Sequence, residues 1–341
     1  MIAAEVDAAL DRAVAAIDAA SELSLACHVS PDGDALGSLL AVHHLCRAQG
    51  KPSVASWPEP FVVAPHYAYL PGLDTCTKPD DFPAAPELMV TFDCGSLGRL
   101  SCLAPAARAA HQLLVIDHHQ TNDRYGTLNV VDPEAAATAV VVRELARRLG
   151  WPLTYDAAVC LYTGLVTDTG RFQYTNTTPA VFALAQELAE FDLPIAKITR
   201  SLFEEHRFTY LKLVAVCLER ARLDADLGFV VTWITRDDFA SHGVVLDEAE
   251  GMIDLVRRTS EATVACVLKE ATDGIRVSLR SVDDTDVGAI AMGFGGGGHR
   301  YAAGFTVPWP ASVDEVIERL ADSLRAVRAR GTHADARPSA D

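Results

Sequence analysis

The sequence is short of positive charge. Lys and Arg total 29 against 46 Asp and Glu, a formal net charge of −17 over 341 residues. That balance excludes a general nucleic-acid coat protein, whose affinity comes from neutralising many phosphates. It leaves room for a small phosphate site that is locally basic or filled by cations. Long apolar runs are missing as well. No segment reaches the roughly 18 uninterrupted apolar residues of a membrane span, so no membrane partner is expected. The opening MIAAEVDAALDRAVAAIDAA carries acids in its first turns where a signal peptide has a basic region, and it reads as an amphipathic, Ala-rich helix. No C-x-x-C pair occurs. The eight cysteines, Cys27, Cys46, Cys76, Cys94, Cys102, Cys160, Cys217 and Cys266, stand singly. Reduced, mostly buried thiols in a cytoplasmic protein follow from that spacing, not a disulfide framework. There is no internal repeat and no low-complexity tract beyond alanine richness.

Apolar material is plentiful, with 50% hydrophobic and 22% charged residues, so the chain can bury a core. At about 100–200 residues per domain, its length suggests two domains. Strand-length apolar runs at 23–27, 87–92 and 112–116 alternate with Ala-rich helical stretches, the signature of a largely parallel, buried sheet. The Pro-rich stretch 57–86 is expected to wrap the surface. Helical patterns follow at 135–149, 155–166 and 179–190, the last with Pro179 at its start. A helical connector over 191–210 leads to strand-like runs at 228–234, 263–269 and 274–280, a Gly-rich loop GFGGGGH at 293–299, a short strand and a final helix at 312–328. The fold class expected is α/β: an N-terminal doubly wound, largely parallel sheet domain at 1–190 and a smaller C-terminal α/β domain at 211–330, with an active-site cleft between them. Residues 331–341 are polar and are expected to be a disordered tail.

Chemistry-bearing residues follow each early strand. The first runs into His28, Asp32 and Asp34, the second into Asp93, the third into Asp117, His118 and His119. In an open parallel sheet the strand C-termini share one edge, where ligands bind, so three strand ends deliver His and Asp to one place. Carboxylates packed together need cations, and Asp/His ligands without thiolate suit Mn²⁺ or Mg²⁺ better than a structural Zn²⁺ cage. The candidates suffice for two ions sharing a bridging carboxylate, an arrangement used in phosphoester cleavage. Each piece alone has an ordinary reading. Asp32-Gly33-Asp34 could cap the helix that begins near Ala35, Asp93 could close a turn, and His118-His119 could be a surface pair. Their joint occurrence at successive strand ends favours the metal reading. His43 and His44 lie inside the next helix and are assigned to packing.

The ordered motifs His28-x-x-x-Asp32-Gly-Asp34, Phe92-Asp93-Cys-Gly-Ser96, Asp117-His118-His119 and Thr167-Asp168-Thr-Gly170-Arg-Phe172 resemble those of the DHH phosphoesterase superfamily. Gly295-Gly-Gly-Gly298-His299 with Ala302-Ala303-Gly304 resembles the glycine-rich signature of its DHH-associated C-terminal domain. Together they cover about residues 20–325 and are most similar to the NrnA-type oligoribonuclease branch, which includes pAp phosphatases and cyclic di-AMP phosphodiesterases. The resemblance implies that His28 and Asp32 hold one Mn²⁺, that Asp34, His118 and Asp168 hold the other, and that Asp93 bridges both. It implies further that Asp117 orients the histidine pair, that His119 lies near the scissile phosphate, and that the protein is a homodimer. Asp168 enters only through the resemblance; by itself it reads as an acid at a helix end. The first motif has Gly33 between its acids where many relatives have Ala, a change that leaves both carboxylates in place.

For the second domain, the candidate substrate-binding residues are Gly296, Gly297, Gly298 and His299, whose N–H groups and ring could cradle an anion, with Arg280 and Ser281 at a strand end and Arg99 six residues past Asp93. Arginine suits planar, bidentate contacts to phosphate. The function these features imply is Mn²⁺-dependent hydrolysis of very short RNA or dinucleotides such as pApA to mononucleotides, with pAp dephosphorylation and cyclic di-AMP hydrolysis alongside. Nucleotide phosphates are therefore expected partners and duplex nucleic acid is not. The alternatives are a RecJ-like exonuclease, against which length and acidity argue because a processive enzyme needs an extended basic groove, and a catalytically silent nucleotide-binding module, against which the filled metal positions argue.

Overall fold

In the computed structural model residues 4–334 are described, with side chains of the last helix described to residue 329. The chain divides into two compact units, Met1–Glu205 and His206–Asp341. The division falls within the stretch expected to connect the domains.

The first unit is built on a five-stranded parallel sheet of order β2-β1-β3-β4-β5, made of β1 (Leu23–Cys27), β2 (Ser53–Ser56), β3 (Leu88–Phe92), β4 (Gln112–Asp117) and β5 (Leu128–Val131). β1 and β3 are buried along their whole length, which is why they read as unbroken apolar runs. β2 and β5 are four-residue edge strands, Ser-Val-Ala-Ser and Leu-Asn-Val-Val, too short and too polar to stand out in the sequence. One face of the sheet is covered by α1 (Ala4–Ala19), α2 (Gly33–Ala48) and, further along the chain, α4 (Thr138–Arg148), and α5 (Tyr155–Asp168) packs on α2 and α4. The other face packs on α3 (Ala104–Ala109) and Phe82. The Pro-rich stretch forms only short 3-10 turns at Pro65–Tyr67, Leu73–Thr75 and Pro79–Asp81. α6 (Pro179–Ala189) starts on a Thr178 cap, and α7 (Ile195–Phe203) closes the unit.

Two helix ends differ from the sequence expectation. The helix expected from residue 135 starts at Thr138, because Ala137 is extended (φ −162°, ψ 154°). The helix expected to stop at 166 runs on to Asp168. Both shifts place a helix terminus at the site described below.

The second unit opens with α8 (Phe208–Arg220) and contains a six-stranded mixed sheet of order β10-β11-β9-β8-β7-β6. Its strands are β6 (Arg222–Asp224), β7 (Phe229–Ile234), β8 (Val264–Glu270), β9 (Gly274–Ser281), β10 (Gly297–His299) and β11 (Ala302–Pro308). Only β7 and β8 run parallel. α9 (Arg236–His242) and α10 (Ile253–Val256) lie between β7 and β8 in the chain, α11 (Val287–Gly293) follows β9, and α12 (Val313–Ala334) ends it. Leu268, Val277, Leu279, Phe305 and Val307 point to the face that shares a core with Val287, Ile290, Val316 and Leu320 of α11 and α12. On the opposite face, Ile253 and Val256 of α10 cover Val230, Ala265 and Val267. The expected Gly-rich loop is corrected in part: its last three residues, Gly297–His299, pair with β11 as an edge strand. Of the expected tail, 331–334 continue the last helix and the remainder lies outside the described residues. Among the described residues no helix is long and apolar enough to cross a membrane.

Candidate metal centre

Strand order 2-1-3-4-5 reverses direction between β1 and β3, and in such sheets ligands bind beyond the strand C-termini at that switch. His28 follows β1 and Asp93 follows β3, one on each side of it. Asp93 is in the left-handed region (φ 52°), which Asp tolerates better than most residues, and the turn aims its carboxylate back over the sheet edge. Asp32 caps α2, accepting from Ala35 N at 3.0 Å, while Asp34 sits in the first turn of the same helix. The capping reading of Asp32 therefore holds, and its second oxygen still faces His28 at 3.7 Å.

Asp34 is fully buried and held from α4: Thr138 N donates to Oδ2 and Ala139 N to Oδ1. A helix N-terminus offers such free N–H groups to an anion. Thr138 Oγ1 donates to Asp93 Oδ1 at 2.9 Å. Asp168 arrives through the packing of α5 on α2. A Cβ at Gly37 would lie 2.4 Å from the Cys160 carbonyl, and one at Gly164 would lie 2.6 Å from Asp34 Oδ1. Only glycine allows the two helices to come this close.

Within the first unit, three groups of ligand-type atoms result, each within 4.8 Å internally: His28, Asp32 and Asp93; Asp34, Asp93 and His118; Asp93, Asp117 and His119. Asp93 belongs to all three. His28 Nε2 lies 3.7 Å from both Asp32 Oδ2 and Asp93 Oδ2. His118 Nε2 lies 3.6 Å from Asp93 Oδ1, 3.9 Å from Asp34 Oδ2 and 3.1 Å from Asp168 Oδ2. Spacings of 3.6–3.9 Å are too long for hydrogen bonds. They suit donors grouped around one cation with bonds of about 2.1 Å.

The ring orientations agree with that use. His118 Nδ1 is 3.1 Å from the Ala135 carbonyl and His28 Nδ1 is 2.8 Å from the Val29 carbonyl, so each ring turns Nε2 toward the carboxylates. His28 Nε2 is buried and, among the described residues, has no hydrogen-bond partner. Arg99 Nη2 also lies 3.0 Å from His28 Nδ1, but a ring N–H that donates to Val29 cannot accept from Arg99. The guanidinium therefore stands beside the ring as a charge. Asp117, fully buried, accepts from His118 N, His119 N and His119 Nδ1 on Oδ1 and from Asn122 Nδ2 on Oδ2. That bonding fixes the tautomer and orientation of the His119 ring.

Electrostatically the cluster sets histidine protons against carboxylates. Burial and Arg99 pull His28 down, yet Asp32 and Asp93 raise it to about 9. Burial likewise opposes protonation of His118 and His119, but Asp168 in the first case and Asp93 with Asp117 in the second push them above the usual range. Burial, with Asp93 and Asp168 nearby, lifts Asp34 well above an ordinary carboxylate. Asp93 goes the other way: burial would raise it, but His119, His28 and His118 hold it ionised. A cation entering such a site displaces protons.

Thr138 and Asn122, which hold the acids, have no counterpart in the sequence reading. Thr138 falls inside the helix expected at 135–149, and nothing in the pattern marks it as a first residue. His43 donates to or accepts from Ser53 and Thr75, and His44 lies 3.0 Å from the Pro71 carbonyl, in keeping with packing roles.

In the second unit, strand register sets Arg280 opposite Ala302 and Ala302 opposite His299, so Arg280 and His299 share one row on one face of the sheet. Gly297 lies on that face with open space above it. Gly296 and Gly298 have a backbone reason to be glycine, since Cβ atoms there would come within 2.2 Å of the Gly304 carbonyl and 2.6 Å of the Ala302 carbonyl. Ser281, next to Arg280, turns to the opposite face, and its Oγ donates to Asp283. It does not join Arg280 and His299.

Comparison with known proteins is consistent across the chain. Residues 23–165 match the DHH family, N-terminal domain, and residues 227–326 match the DHHA1 domain. The chain is 32% identical over 304 residues to a Thermus thermophilus protein named bifunctional oligoribonuclease and PAP phosphatase NrnA, covering 88% of each. A Bacillus subtilis protein of the same name is 28% identical, covering 86% of this chain and 91% of the other. The crystal structure of an exopolyphosphatase-related protein from Bacteroides fragilis superposes with a TM-score of 0.85 at 24% identity, covering 96% and 97% of the two chains, and shares the fold.

Proposed function

Because this chain belongs to the DHH family and carries a DHHA1 domain, we propose that this hydrolase of phosphoester bonds degrades very short oligonucleotides, such as pApA, to mononucleotides, with pAp dephosphorylation and cyclic di-AMP hydrolysis as further activities. The observation that carries the reading is Asp93, which faces His28 on one side and His118 on the other. In the proposal His28 and Asp32 hold one divalent cation, Asp34, His118 and Asp168 hold a second, and Asp93 is common to both. Manganese is the preferred ion and magnesium the substitute, given donors of Asp and His without thiolate. Bound there, the cations supply Lewis-acid polarisation of the phosphoryl group and activation of the attacking water.

The chain's own side chains do the rest. Asp117 holds His119 by Nδ1, and a protonated His119 then carries its second proton on Nε2. Its raised affinity for that proton lets the ring donate to a phosphoryl or leaving-group oxygen. Arg99, beside His28, adds a positive charge at the rim of the cluster. Arg280, Gly297 and His299 share one face of the second unit and grip the nucleotide by its phosphate, as arginine and exposed backbone N–H groups do elsewhere. The net charge of −17 disfavours long strands and supports small substrates. A cytoplasmic setting fits eight free cysteines, most of them buried.

The experiment is AMP release from pApA with and without Mn²⁺, comparing wild type with Asp93→Ala. Turnover that needs the metal and collapses in the variant supports the reading. Undiminished turnover by Asp93→Ala overturns it.

A further inference from the structure

The face of the C-terminal sheet that carries Arg280 and His299 carries another arginine with no role so far. Alternate residues of a strand share a face, so Ser278 and Arg276 follow Arg280 along β9, at steps of about 6.8 Å. Pairing is continuous through this stretch: Arg276 stands opposite Thr306, Ser278 opposite Gly304, and Arg280 opposite Ala302. Gly304 in turn stands opposite Gly297. The side chains between the two arginines are thus small. α10 covers Val230, Ala265 and Val267, on the side of the face away from β11 and β10.

Arg276 is half-buried, yet among the described residues its guanidinium has no ion pair and no hydrogen bond. Its neighbour across β8 is Lys269, which is buried and takes Glu250 Oε1 at 2.6 Å. Like charges facing each other on paired strands are destabilising. The chain has 46 acids, and Glu250, the acid at this position, pairs among the described residues with Lys269. Arg280, by contrast, has Asp254 Oδ1 3.7 Å from its Nε. An uncompensated cation next to another, on the open side of a sheet in an acidic protein, is placed to meet an anion.

We propose that Arg276 is a distal anion subsite: with one phosphate at Arg280 and His299, its guanidinium holds a phosphate further along the strand, so that oligonucleotides longer than two residues gain affinity. The proposal rests on the reading of this face as the nucleotide grip.

It is tested by calorimetric binding of pA, pApA, pApApA and pApApApA to the full chain in EDTA, where hydrolysis does not consume the ligand. Wild type, Arg276→Ala and Arg276→Lys are compared, each checked by a thermal melt. The expected result is that Arg276→Ala weakens binding of the two longer ligands about tenfold, the effect of one charged hydrogen-bonding contact. Binding of pApA stays unchanged, and Arg276→Lys recovers part of the loss. Equal weakening for pApA and pApApA overturns the distal placement, and so does no weakening at any length. If Arg276→Ala fails to melt cooperatively, the lysine variant carries the same comparison. A wild-type chain that binds none of the four ligands overturns the underlying reading of the face instead.

Discussion

Thr138 Oγ1 donates to Asp93 Oδ1 at 2.9 Å, so the carboxylate that faces both His28 and His118 is held in place by the first residue of α4. Replacing Thr138 with Val keeps the shape and removes the donor. Metal titration by calorimetry should show Mn²⁺ affinity reduced by roughly 10-fold or more, the range seen when a partner behind a metal ligand is removed. Unchanged affinity would mean that Asp93 is positioned by its backbone turn alone.

Gly164→Ala tests the approach of α5 to α2. The new methyl would lie 2.6 Å from Asp34 Oδ1 and 3.0 Å from the Ala139 Cβ. Overpacking of this kind costs about 1–3 kcal/mol. Urea melts should show that loss, and activity should fall further than stability explains, because Asp34 and Asp168 are displaced together. Full activity in a destabilised variant would separate the packing from the site.

His299→Ala should raise KM for pApA while leaving metal content, measured by atomic emission on the purified protein, unchanged. The residue lies in a row with Arg280 on the second unit's sheet, and its role in the proposal is to hold substrate. Loss of metal from the variant would place His299 among the ligands and contradict that role.

An acid-dependent contribution to stability is expected at Asp238. Arg220 donates to it, and Thr235 N and Oγ1 add their bonds, which together hold the carboxyl at about 2 against burial. A carboxylate lowered from 3.8 to about 2 stabilises the folded state above the ordinary value, and the benefit disappears as pH falls through the lowered one. Asp238→Asn should therefore be less stable than wild type by about 1 kcal/mol at pH 6, with the gap closing between pH 4 and 2. Guanidinium melts across that range measure it, and a gap independent of pH would assign the loss to the helix cap alone.

Much of the first unit was legible in the sequence for one reason. β1, β3 and β4 are buried on both faces, so each appears as an apolar run, and the acids and histidines that follow at once stand out against it. β2 and β5 escaped because edge strands need not be apolar. Asp168 could not be read from pattern at all. It is the last residue of a helix, and what makes it 3.1 Å from His118 is a helix crossing that depends on Gly164, one turn earlier, and on Gly37, far from it in sequence. The glycine-rich segment misled in part, since Gly296 and Gly298 answer to the close approach of β11 and Gly297 and Gly298 pair with it as strand neighbours, not as a free loop.

By itself, then, the sequence determined the α/β class and the set of residues that end up at the strand C-termini. Those properties are local: apolar period, strand length and the residue that comes next. Only the tertiary structure decided which carboxylate lies between the histidines, which oxygen each histidine faces, and which arginine on β9 is left without a partner among the described residues. Those depend on strand order, register and helix crossing, contacts between residues 22–104 positions apart that no short window of sequence contains.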